Sequence, residues 1–151
     1  MGTDGPGSFQ NDWALDWAAD LCESEDTQPV RTALQQVVEH GGTKRSAPSI
    51  MERLRGLKHH TDWLTAGVAS RAIAAAETVA TWRGHPPARV PDGVADWIQQ
   101  HTSAFLPDLV SLARQAVAIV KTNSELKDLW EEGDATEWRE CVEDLGRRLQ
   151  D

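Results

Sequence analysis

Along most of the chain, apolar residues recur at three- and four-residue spacing, the period of helices that bury one face. Trp13, Ala14, Trp17, Ala18 and Leu21 mark the first such face, over 11–22, with Asn11 or Asp12 as its cap. Val30, Ala33, Leu34, Val37 and Val38 mark a second, opened by Asp26 or Thr27 with Pro29 in its first turn and stopped by Gly41-Gly42. The clearest core helix spans 62–83. There Ala69, Ile73, Ala76 and Ala80 lie in register beside Ala72 and Val79, with Trp63 and Leu64 anchoring its start. So much alanine permits close helix–helix contact, and Gly84 before Pro86-Pro87 ends the run. Val94, Trp97 and Ile98 predict a short helix within 90–101, and the chain breaks or bends at Thr102 or Ser103. Pro107 opens a helix to about 121 with Leu109, Leu112, Ala113, Ala116, Val117 and Val120 inward. Asn123 or Ser124 caps a short helix carrying Leu126, Leu129 and Trp130, stopped by Gly133. Asp134 followed by Glu137 resembles a capping box for a last amphipathic helix bearing Trp138, Cys141, Val142, Leu145 and Leu149.

No alternating run rich in Val, Ile or Tyr predicts a strand. The expected fold is all-α, one helical domain over 1–151. It is a compact orthogonal or irregular bundle of six to seven helices behind a glycine-rich N-terminal leader. Two stretches escape the helical pattern. The leader strings Gly2, Gly5, Pro6 and Gly7 before Phe9, and is expected to fold back over the alanine-rich helix at 69–80. Residues 41–60 hold Lys44, Arg45, Arg53, Arg55 and Lys58 and read as a basic, loop-rich insert.

Composition changes this picture in three ways. Seven Trp, two Phe and no Tyr make tryptophan the main large wedge of the core, with one or two available to face a partner. The net charge of −9 argues against nucleic acid and anionic membranes as partners and is compatible with a basic protein. That charge is uneven: residues 1–40 carry eight acids and one base, whereas 41–60 carry five bases and one acid. Cys22 and Cys141 match no zinc or redox spacing and read as free, buried thiols. No secretory signal or membrane span is apparent, which predicts a cytoplasmic protein.

Candidate chemistry is sparse. Asp12, Asp16 and Asp20 form an acidic stripe at four-residue spacing, whose mutual repulsion asks for neutralisation by Arg31 or the 44–58 bases, or for a basic partner. Glu77, inside the most apolar helix, is expected to pair with an arginine such as Arg71 or with an indole N–H. His40, His59, His60, His85 and His101 make no zinc pattern, and no glycine loop precedes Lys-Ser or Lys-Thr. No catalytic residue, metal ligand or cofactor is assigned.

The leader Gly5-Pro6-Gly7-Ser8-Phe9-Gln10-Asn11-Asp12-Trp13-Ala14-Leu15-Asp16-Trp17 resembles the opening of a small bacterial family catalogued as domain of unknown function 4259, whose members commonly begin M-G-x-W-G-x-G-x-F. The alanine-rich stretch from Ala69 to Glu77 and the stretch from Ser124 to Glu131 are also similar, so the resemblance covers most of the chain outside 41–60. Asp4 stands where members usually carry tryptophan, so Phe9 or Trp13 must hold this leader instead. The resemblance implies a cytoplasmic bacterial helical protein and carries over no catalytic residue. The motif and interaction residues it singles out, together with the acidic stripe, are Gly5, Gly7, Phe9, Asn11, Asp12, Asp16, Trp17, Asp20 and Glu77.

Three functional expectations follow. The first is a non-catalytic protein-binding module, of immunity type, that holds a basic toxin or nuclease. The second is a helical enzyme using His59 or His60 with Asp12 or Glu77. The third is a structural homo-oligomer built on exposed tryptophans.

Overall fold

A computed structural model describes residues 5–41, 65–87 and 89–150, apart from the side chains of residues 40 and 41. It places seven α-helices among them: α1 (Asp12–Cys22), α2 (Gln28–Gly41), α3 (Ala66–Trp82), α4 (Asp92–Gln100), α5 (Asp108–Thr122), α6 (Glu125–Glu131) and α7 (Thr136–Gln150). A 3-10 turn, Thr102–Ala104, stands where the break at Thr102 or Ser103 is expected, and no strand occurs among the described residues. The fold is the all-α bundle read from the sequence. The insert at 42–60, its five bases, His59, His60 and the Trp63–Leu64 anchor lie outside the described residues.

Helix α3 is the axis. It packs against α1, α2, α4, α5, α6 and α7, every other α-helix described. From Ser70 to Ala80 only Arg71 is exposed. Small side chains make this possible, because alanine lets neighbouring backbones approach from all sides. Gly67 extends the same logic: a Cβ there would stand 3.2 Å from the Trp13 ring of α1. The buried cluster draws on Phe9 of the leader, on all seven helices and on Phe105.

The helix ends are chemically closed. Asn11 caps α1 by accepting the Ala14 N–H at 2.8 Å. Asp26, not Thr27, turns the chain into α2: its carboxylate accepts the Gln28 N–H at 2.9 Å, while the Thr27 hydroxyl donates to the Ala104 carbonyl. Thr65 caps α3, and Glu125 from α6 accepts the Ala66 N–H at 2.9 Å. Gly84, at φ 92, closes α3 in a Schellman turn, with the His85 N–H on the Ala80 carbonyl and the Gly84 N–H on the Thr81 carbonyl. Ser124 caps α6 through the Lys127 N–H at 3.0 Å. Asp134 departs from the expected capping box. It accepts the Thr136 N–H, two residues on, and closes a tight turn before α7. The Leu149 carbonyl near the end of α7 accepts from Arg83 and from Arg114, each at 2.8 Å.

The described tryptophans are buried or half-buried, none exposed. Three of their indole N–H groups donate to carbonyls: Trp97 to Ser24 at 2.9 Å, Trp82 to Thr102 at 3.1 Å, and Trp17 to Pro29 at 3.4 Å. Trp97 also stacks on His101, whose Nδ1 lies 2.8 Å from the Trp97 carbonyl oxygen. Trp13, Trp82 and Trp130 are the described tryptophans that keep part of their surface in solvent. Neither cysteine is fully buried, contrary to the sequence reading: Cys22 is exposed and Cys141 half-buried, both as free thiols.

Candidate functional site

The leader is a hook. The Gly5 N–H donates to the Gln10 carbonyl at 3.1 Å, the Gln10 N–H to the Gly7 carbonyl at 3.0 Å, and the Gly7 N–H to the Gln10 side-chain oxygen at 2.7 Å. A Cβ at Gly5 or Gly7 would sit 2.7 Å from that same Gln10 oxygen, so both glycines make room for the amide. The hook seats Phe9 in the core and brings Ser8 to Glu77 of α3, which is the fold-back that the sequence predicts.

Glu77 is fully buried, and its partner is Arg148 of α7. The guanidinium grips the carboxylate through both ends, Nη2 to Oε1 at 2.7 Å and Nη1 to Oε2 at 3.1 Å. Arg148 also donates from Nη1 to the His85 carbonyl at 3.0 Å and from Nε to Asp144 Oδ2 at 2.7 Å. Arg71, the partner expected from the sequence, is exposed instead. Six residues before Glu77, it points well away from it around the helix. Burial pushes the Glu77 carboxyl above the usual carboxylate range, opposed by hydrogen bonds and charge from Arg148 and by the Ser8 hydroxyl.

This pair forms the base of a cleft of about 670 Å³. Residues 6–10 of the leader make one wall, Pro87 and residues 89–92 a second, and Cys141 and Asp144 of α7 a third. The cleft thus unites Gly7, Phe9 and Glu77 among the residues singled out in the sequence. It adds Arg148, Asp144, Val90 and Pro91, which sequence reasoning passed over. A signal for Arg148 exists: it follows Cys141 and Leu145 in the i, i+4, i+7 register of the apolar face of α7. Burial, reinforced by the charges of Glu77, Asp144, Glu137 and Glu140, raises the pKa of the Cys141 thiol, which therefore stays protonated at neutral pH and is a poor nucleophile.

Behind the leader lies a void of about 10 Å³, bordered by Gly5, Gly7, Asn11 and Ser70. The Ser70 hydroxyl is buried there with no hydrogen-bond partner.

The sequence model of the family described as domain of unknown function (DUF4259) matches residues 2–141. The chain belongs to this family. Neither a curated protein nor a solved structure matches it. The DUF4259 match takes in the leader hook, Glu77 and the wall made by Pro87 and residues 89–92, and it ends before Asp144 and Arg148.

The other DUF4259 residues singled out fall elsewhere. Asn11 is the buried cap of α1, and Trp17 is a core residue bonded to Pro29. Asp12, Asp16 and Asp20 lie exposed on the outer face of α1, with Ala19 and Leu15 between them. Arg31 does not neutralise this stripe, because its guanidinium is closed on Asp108 of α5 by two bonds of 2.9 and 3.0 Å. The 44–58 bases lie outside the described residues. Asp12 and Glu77 are not presented together, since one faces solvent and the other is sealed beneath Arg148. Among the described residues no group of three or more His, Cys, Asp or Glu side chains is placed to hold a metal, and no helix is long and apolar enough to cross a membrane.

Proposed function

We propose that the chain is a small, non-catalytic protein-binding module of the bacterial cytoplasm. It acts by stoichiometric contact with a basic protein, in the manner of an immunity protein on a toxin or nuclease. The observation that carries this reading is the outer face of α1. Leu15 is 43% exposed, one of two large apolar side chains left in solvent among the described residues. It sits amid Asp12, Asp16 and Asp20. An apolar contact ringed by charge suits a protein interface, because the ring steers a complementary partner while the centre loses its water. Three carboxylates on one exposed face also repel one another, and a basic partner relieves that repulsion.

Affinity capture with the purified chain, alongside Leu15→Ser and Asp16→Lys, tests the reading. The wild type should retain a basic protein that elutes as salt rises, and both variants should lose it. Equal retention by all three forms, or no retained protein, would remove this reading.

A further inference from the structure

We propose that the cleft between the leader and α7 binds a small organic cation: an apolar body carrying one amine or ammonium head. The site shares no residue with the outer face of α1, and the inference stands whether or not that face docks a protein.

The size comes first. A cleft of about 670 Å³ falls within the volume range of small-molecule sites. Its walls supply the body's surroundings: Phe9, Pro87, Val90 and Pro91 all line it.

The charges then decide the head group. Arg148 looks like an anion receptor, but four of its five N–H groups are committed to Glu77, Asp144 and the His85 carbonyl. An incoming anion would find a single Nη2 N–H, and a two-pronged grip would require it to displace a buried carboxylate. Glu77 is equally closed, with each oxygen on the same guanidinium. What remains accessible at the cleft is Asp92, Asp144 and Arg89, two carboxylates against one guanidinium.

Asp144 is half exposed. It gives Oδ2 to Arg148 at 2.7 Å, while its nearest cation on Oδ1, the 71% exposed Arg147, stands off at 3.6 Å. Oδ1 therefore has room to accept from a ligand ammonium. The neighbouring hollow, which shares Pro6, Cys141 and Asp144 with the cleft, adds Glu137, Glu140 and Glu143 against Arg147. Glu143 is partly spent on Lys121, at 3.1 Å. The mouth is thus acidic: across the cleft and the hollow, the six carboxylates of Glu77, Asp92, Glu137, Glu140, Glu143 and Asp144 stand against the three guanidinium groups of Arg89, Arg147 and Arg148.

Three probes of matched shape distinguish the head groups: phenethylamine, phenethyl alcohol and phenylacetate, titrated into the nitrogen-15-labelled full chain and followed by NMR. The amine should bind with a Kd on the order of 1 mM, as fits a ligand of this size. It should shift the amides of Phe9, Val90 and Cys141, and bind about fivefold tighter than phenylacetate, with the alcohol between. Asp144→Asn, which keeps an acceptor for Arg148, should erase the preference for the amine. Val90→Ser should weaken all three probes alike. If Asp144→Asn does not fold, as judged by its melting curve, the exposed Glu140→Gln replaces it and should narrow the preference. Phenylacetate binding as tightly as the amine would overturn the proposal. So would an absence of shifts around the cleft, or an amine preference untouched by removal of the carboxylate.

Discussion

Glu77 on α3 and Arg148 on α7, seventy-one residues apart, are joined by two N–H···O bonds of 2.7 and 3.1 Å in a site where the carboxylate has no solvent exposure. The pair ties the last helix to the axis of the bundle and forms the base of the cleft. Replacing one partner leaves the other charge buried, which is costly even where the pair as a whole adds little stability. Glu77→Ala should therefore lower stability by about 3 kcal/mol in urea unfolding, because it empties a buried space on α3 and leaves Arg148 with only Asp144 and the His85 carbonyl. A loss under about 1 kcal/mol would mean that the pair is not closed as described.

The same variant reports on pH. The raised pKa of Glu77 means that the native state holds this proton to higher pH than the unfolded chain does. Its contribution to stability is fully present below the ordinary carboxylate pKa and is lost as pH rises through the raised value. The gap between wild type and Glu77→Ala should thus narrow as pH rises above the ordinary carboxylate range. Asp108, Glu131 and Asp134 have lowered pKa values, held down chiefly by side-chain hydrogen bonds with Arg31, Lys127 and Thr136, and work in the opposite sense. They are unchanged in the variant and cancel in the comparison. A gap that widens with pH would show that Arg148 outweighs burial.

Ser70 offers a test of the space behind the leader. Its hydroxyl is buried in the middle of α3 with no partner, so it carries desolvation cost without return. Ser70→Ala should raise stability by about 1 kcal/mol, aided by the better helix propensity of alanine. A drop in melting temperature would reveal a bond that the hydroxyl makes.

The hook predicts a coupling. Gly7→Ala forces the Gln10 amide out of its place and breaks the 2.7 Å bond to the Gly7 N–H, at a cost of about 1 kcal/mol. In a Gln10→Ala background that bond is already gone, and the added cost of Gly7→Ala should fall close to zero. Additive losses would separate the two residues. Removal of residues 1–10, which takes Phe9 out of the core, should lower the melting temperature, and an unchanged melt would show that the leader is not part of the fold.

The α1–α3 contact makes a prediction of sign. A methyl at Gly67 meets the Trp13 ring at 3.2 Å, so Gly67→Ala should destabilise by about 1 kcal/mol despite its gain in propensity. With Trp13→Ala already in place, the same change should stabilise by about 1 kcal/mol. Thermal unfolding of the four combinations decides it.

Helices and caps were largely legible in the residues, because both are local. Periodicity located every described helix, and Asn11, Ser124, Gly84 and the prolines acted at their own positions or within a few residues. Where two neighbours competed, as at Asp26 and Thr27, the residues named the pair and the fold chose Asp26; the capping box at Asp134 was replaced by a tight turn. The buried carboxylate was also visible, since an acid inside an alanine-rich face has to find a partner. The identity of that partner was not. Arg71 is near in sequence and faces another way, whereas Arg148 arrives from the far end of the chain only when α7 packs on α3. Arg31 was likewise drawn to Asp108 on α5 and not to the stripe that sequence proximity suggested. Side-chain pairing between helices depends on crossing geometry, which no spacing along one helix encodes. For the same reason the cleft, assembled from the leader, Pro87 with residues 89–92, and α7, exists only in the folded chain: its walls are distant in sequence, and packing around α3 brings them together.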